Sequence, residues 1–107
     1  MADDVLAQLA ATIRARRAAS SDASYTRQLL DAGPAKCAKK LGEEAIETVM
    51  AGVAEGSERL KEEAADLLYH LLVLLESREV AIADVLAILE GRMGTSGLKE
   101  KAERGKR

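Results

Sequence analysis

Aromatic side chains are almost missing from this 107-residue sequence, which has two Tyr and neither Phe nor Trp. Its core has to be built from Leu, Val, Ile and Ala, the composition of packed helices. Val and Ile nowhere gather into the alternating runs of a half-buried strand. A single cysteine, Cys37, excludes an intrachain disulfide and fits a reducing, cytoplasmic setting; it reads as a small buried apolar residue rather than a reactive thiol. A single histidine, His70, leaves zinc sites of the His/Cys type unsupported and reads as a core-edge residue. No leader-like segment and no apolar run of membrane-spanning length is present, so membrane classes are not expected.

Charge is plentiful and unevenly placed. The formal net charge is −2, yet Glu43 to Asp66 contains eight acids against two bases, Arg59 and Lys61. Such a segment does not bind a nucleic-acid backbone. From Arg92 to Arg107 the balance reverses, with six bases and two acids. The length allows one domain, expected over residues 1–93, with 94–107 as a charged and mobile tail.

Helical spacing is evident along the chain. Asp3 is an expected N-cap for a first helix carrying Val5, Leu6, Leu9 and Ile13 and ending in the basic Arg14, Arg16 and Arg17. A loop to Ala23 leads to Ser24-Tyr25-Thr26, which opens a short second helix closed by Ala32-Gly33. Pro34 suits the first turn of a third helix over roughly 35–54. On that helix Leu41, Ala45, Ile46, Val49, Met50 and Val53 form a broad apolar arc. Lys36, Lys40, Glu44 and Glu47 share the opposite face, with Glu43 at its edge. Gly42 and Gly52 within it would let another backbone come close. Ser57 is expected to cap a fourth helix to about Ser77, whose main stripe is Leu60, Ala64, Leu67, Leu68, Leu71, Leu74 and Leu75, widened by Ala65 and Leu72. Apolar residues around so much of one helix predict a homodimer burying parts of Leu68, Leu71, Leu72 and Leu75. A fifth helix is expected over 82–93 with a poor cap at Ala81. The fold class is therefore all-α, a bundle of four to five helices.

The acids are patterned as EExxE, Glu43 to Glu47, and as ExxD, Glu63 to Asp66. Residues three apart on a helix share a face, so packing the two helices together brings four or five carboxylates to one place. Two such charges about 6 Å apart at an effective dielectric of about 20 repel by roughly 3 kcal/mol. Surface glutamates avoid that cost by facing water. Here Glu63 and Asp66 border a Leu-rich stripe, and Asp is a mediocre residue for a helix interior. A hard divalent cation, Mg²⁺ first, answers the arrangement. Lys36 and Lys40, one turn apart and upstream of Glu44, stand where the anionic end of a metal-bound substrate would lie.

The combination resembles the all-α nucleoside triphosphate pyrophosphohydrolases, which include MazG-type enzymes, and within them the phosphoribosyl-ATP pyrophosphohydrolases of histidine biosynthesis. The stretches that carry it are Ser24-Tyr25-Thr26, Lys36 to Ala45, Glu62 to Leu71 and Gly94-Thr95-Ser96-Gly97-Leu98. Cys37, where a branched aliphatic is expected, and Thr95, where Ile is expected, depart from the pattern and leave the carboxylates untouched. The resemblance implies a helical homodimer that cleaves phosphoribosyl-ATP between its α- and β-phosphates. It implies Mg²⁺ on Glu44, Glu47, Glu63 and Asp66, with Glu43 nearby. Glu43 and Glu47 are candidate catalytic proton acceptors, and Tyr25, Lys36, Lys39 and Lys40 are candidate substrate-binding residues. Two other readings stay open: a general nucleoside triphosphate pyrophosphatase acting on dUTP or damaged nucleotides, and a non-catalytic helical dimerisation module with a solvated acidic face.

Overall fold

A computed structural model describes residues 2–94 together with 101, 104 and 105, and side chains from residue 5 onward. Five α-helices follow in order: α1 (Ala2–Ala15), α2 (Tyr25–Ala32), α3 (Pro34–Ala54), α4 (Ser57–Ser77) and α5 (Ile82–Arg92), with a 3₁₀ turn, Arg16–Ala18, after α1. No strand occurs among the described residues. The expected tail, including Thr95, Gly97 and Leu98, lies almost wholly outside them.

The helix boundaries have local causes. Ser24 is the N-cap of α2, and its hydroxyl accepts the Arg27 backbone N–H at 3.1 Å. Gly33 ends α2 and starts α3. Its φ of +96° is open to glycine and strained for other residues, its N–H donates to the carbonyls of Leu29 and Leu30, and its carbonyl accepts from Cys37. Pro34 then occupies the first position of α3, where its missing N–H costs nothing. Two expected caps differ. Asp3 lies inside α1, and Gly56 rather than Ser57 caps α4, with no side-chain bond. Ala81 precedes α5 without a capping bond, as its side chain requires.

Only Glu55 and Gly56 separate α3 from α4, so the two helices form an antiparallel hairpin. The α1 and α2 helices pack against its open end. Ile13, Leu29, Cys37, Leu72 and Val73, drawn from these four helices, form the buried core, with Leu6, Leu9, Leu30, Tyr69, Leu75 and Ile82 partly buried around it. Cys37 is buried and donates to the Leu29 carbonyl at 3.3 Å; burial raises its pKa, as befits an inert packing thiol. Arg17 ties the end of α1 to the end of α4 through the Glu76 carboxylate at 2.6 Å and its carbonyl at 2.7 Å.

The hairpin corrects the expected packing of both helices. The apolar arc of α3 does not line the core: Ile46, Val49, Met50 and Val53 are 62, 63, 58 and 84% exposed. The face of α3 turned to α4 carries Cys37, Glu44, Thr48 and Ala51 instead. On α4 the expected stripe is half-open, with Leu60 and Leu68 exposed, whereas Leu72 and Val73 are the buried pair. Leu72 therefore belongs to the core of its own chain and not to an interface. Gly42 has no neighbour where a Cβ would stand, and Gly52 has only the Leu60 side chain at 3.7 Å, so neither serves a close backbone approach within the chain.

The Ser24 cap fixes the start of α2, so Ser24→Ala should lower stability by about 1 kcal/mol. For a domain of this size that is a fall of about 4–8 °C in Tm by calorimetry. An unchanged Tm would mean that α2 is held by its packing alone.

Candidate metal and substrate site

The register of the α3–α4 hairpin sets Glu44 opposite Glu63 and Asp66. One carboxylate oxygen from each lies within 4.8 Å of the other two. Glu63 is 2% exposed, Glu44 is half-buried and Asp66 opens to solvent. The pairing is fixed by Thr48, one turn beyond Glu44, whose hydroxyl lies 2.8 Å from the Glu44 carbonyl and 3.1 Å from that of Glu63. It bridges the two backbones beneath their carboxylates.

The electrostatics follow from this crowding. Burial pushes the Glu44 carboxyl up, and the nearby Glu47 and Asp66 carboxyls push it further, while Lys40 opposes them. Glu63 is raised first by the close approach of the Glu47 carboxyl, then by burial and the charges of Glu47 and Glu44, with Arg59 opposing. Glu47 thus adjoins both. Arg59 Nη2 meets Glu63 Oε1 at 2.7 Å. The other Glu63 oxygen, Oε2, and Glu44 Oε2 are buried without a hydrogen-bond partner. Buried polar atoms are almost always paired. Two buried, unpartnered oxygens on carboxyls that converge with a third are a donor set for a hard divalent cation, and the residues fit one.

The other expected residues surround this cluster. Glu43 is exposed and pairs with Lys40 at 3.2 Å, which lowers its pKa and raises that of Lys40. Lys36 and Lys39 are exposed and near enough for their charge to reach Glu43. Tyr25 comes from α2 and is half-exposed. Its ring meets His70 edge-on at 6.3 Å, and the Tyr69 ring meets the imidazole edge-on at 4.9 Å. The Tyr69 hydroxyl is hydrogen-bonded to Thr26, joining α2 to α4. His70 is buried, and burial and the Lys40 charge lower its pKa, so the imidazole is neutral at neutral pH. Arg59, Thr48 and Tyr69 are the parts that sequence reasoning missed. Arg59 stands four residues before Glu63 on one helix, which was a readable signal. Thr48 bridges the hairpin, and no spacing along one helix reveals that.

The raised carboxyls predict a pH dependence. A carboxyl that holds its proton more tightly folded than unfolded costs stability as pH rises past its ordinary value of 4.5. His70, shifted down from 6.5, has the opposite slope below that value. Comparison with Glu44→Gln cancels the His70 contribution. Metal-free wild type should lose several degrees of Tm relative to Glu44→Gln between about pH 4.5 and 7.5, and millimolar Mg²⁺ should restore them. A difference independent of pH would mean that these carboxylates do not repel.

Comparison with known proteins shows the family. The model of the family described as phosphoribosyl-ATP pyrophosphohydrolase matches residues 6–93, a span that includes every candidate site residue. Curated relatives named phosphoribosyl-ATP pyrophosphatase include one from Cereibacter sphaeroides, 55% identical over 101 residues covering 94% of this chain and 98% of the relative. Another, from Dinoroseobacter shibae, is 56% identical over 100 residues, with the same coverage. A third, from Nitrobacter winogradskyi, is 55% identical over 98 residues, covering 92% of this chain and 84% of the relative. With an acidic helix hairpin, a family model matched over residues 6–93 and relatives more than half identical over most of their length, the chain belongs to the phosphoribosyl-ATP pyrophosphohydrolase family.

Proposed function

We propose that the chain hydrolyses phosphoribosyl-ATP to phosphoribosyl-AMP and diphosphate, the second step of histidine biosynthesis, using Mg²⁺ held by Glu44, Glu63 and Asp66 with Glu47 beside them. The observation that carries the metal is the pair of buried, unpartnered oxygens of Glu44 and Glu63. A bound divalent ion neutralises triphosphate oxygens, polarises the phosphoryl group and lowers the pKa of water. The protein's own groups supply the rest. Glu47, whose carboxyl raises both Glu44 and Glu63, is the proton acceptor we favour over Glu43, whose pairing with Lys40 weakens it as a base. Glu43 instead holds Lys40 in place. Lys40, Lys36 and Lys39 receive substrate phosphate oxygens, and Tyr25 flanks them. Residues 1–93 carry this activity, with 94–107 an appendage, and the compartment is the cytoplasm. Among the described residues no helix is long and apolar enough to cross a membrane.

We also propose a homodimer, through α3 more than α4. Ile46, Val49, Met50 and Val53 leave a large apolar face uncovered, and a second copy is the partner that covers it symmetrically. Met50→Glu should raise the dimer dissociation constant at least about tenfold, because burying an unpaired charge costs several kcal/mol. Sedimentation at micromolar concentration reads this, and an unaltered dimer would exclude this face.

Side-by-side assays with phosphoribosyl-ATP, dUTP and dCTP test the activity. Glu47→Gln and Asp66→Asn should lose at least about a thousandfold in kcat, about 4 kcal/mol of barrier, with helical content unchanged. Near wild-type turnover in either would overturn the site, and preference for dUTP would overturn the substrate.

A further inference from the structure

Arg59 stands outside every role assigned so far. Its guanidinium reaches Glu55 at 3.7 Å and Glu62 at 3.4 Å, both ordinary exposed pairs on a helix surface. The third contact is different. Glu63 is buried, its Oε1 is held by Arg59 Nη2 at 2.7 Å, its Oε2 is buried without a partner, and its carboxylate reaches within 4.8 Å of oxygens of Glu44 and Asp66. A carboxylate has two oxygens in one plane. Fixing one on a donor four residues away on the same helix sets the direction of the other.

We infer that Arg59 is a positioning residue, which holds Glu63 so that its free oxygen faces the cation. The inference rests on the metal reading above and adds a residue to it. Arg59 itself touches neither the cation nor the substrate. Partners that hydrogen-bond a metal-ligating carboxylate orient it, and their loss weakens metal binding about 10- to 100-fold.

Simple electrostatics predicts the reverse. Arg59 is a positive charge beside a cation site, and removing it should tighten the binding of a divalent ion. The sign of the change therefore separates positioning from the field of the charge.

The test is calorimetric titration of the full chain with Mg²⁺ or Mn²⁺, without substrate, so that it does not depend on turnover. Arg59→Met should raise the metal Kd at least about tenfold, and Arg59→Lys, which still donates to Oε1, should stay within about threefold of wild type. Arg59→Gln, milder for the fold, should fall between them. Glu62→Gln, which removes only an exposed partner, should bind as wild type does. Equal or tighter binding by Arg59→Met and Arg59→Gln would overturn the inference. Glu63→Gln in the same series separates the two levels. If it loses metal while the Arg59 variants keep it, only the role of Arg59 falls. If Glu63→Gln binds as wild type does, the metal reading falls, and this inference with it.

Discussion

The structure turns on repulsion between carboxylates that the chain itself brings together. Glu44, Glu63 and Asp66 converge because a two-residue link makes α3 and α4 antiparallel neighbours in one register, and Thr48 bridges that register from beneath. Arg59 offsets part of the charge on Glu63, and Lys40 part of that on Glu44. What remains appears as raised carboxyls and as two buried oxygens without partners. A fold selected only for stability would place apolar side chains there. The retained cost is the physical reason to look for a cation.

The same constraint explains an inversion in the packing. A helix hairpin normally buries its most apolar faces against each other. Here α3 turns its small and polar face, Cys37, Glu44, Thr48 and Ala51, toward the rest of the chain, and its aliphatic arc outward. Bringing the acids of α3 onto those of α4 leaves no other orientation, because acids and arc lie on opposite sides of one helix. Site and exposed apolar surface are thus two consequences of one rotation of α3.

This is also where the sequence stopped being legible. Helix identities and ends were readable because their causes are local: the Ser24 cap, the Gly33-Pro34 junction and the poor start at Ala81. The acids were readable because spacings of three and four residues put them on one face. Periodicity then identifies an apolar arc, but it does not say whether the covering surface lies in the same chain or in another. Leu60 and Leu68 were accordingly placed in a stripe that the chain leaves open, and the buried Val73 was passed over. The Ser57 hydroxyl signals a cap, yet α4 starts one residue earlier, after Gly56.

The scarcity of aromatics acquires a meaning at this level. Both tyrosines and the one histidine meet in a single group, with Tyr25 and Tyr69 edge-on to His70. Aliphatic side chains fill the core elsewhere, so these rings are not needed for bulk. They sit where α2 crosses α4, one turn along from Asp66, and the Thr26–Tyr69 hydrogen bond closes the same contact. The short α2, eight residues long, places only Leu29 fully in the core. Directional contacts, edge-on rings and a hydroxyl pair, fix its orientation where burial would leave it free to slide. That orientation sets the ring of Tyr25 against His70, so the few rings in the sequence join the start of α2 to the α4 face one turn from Asp66.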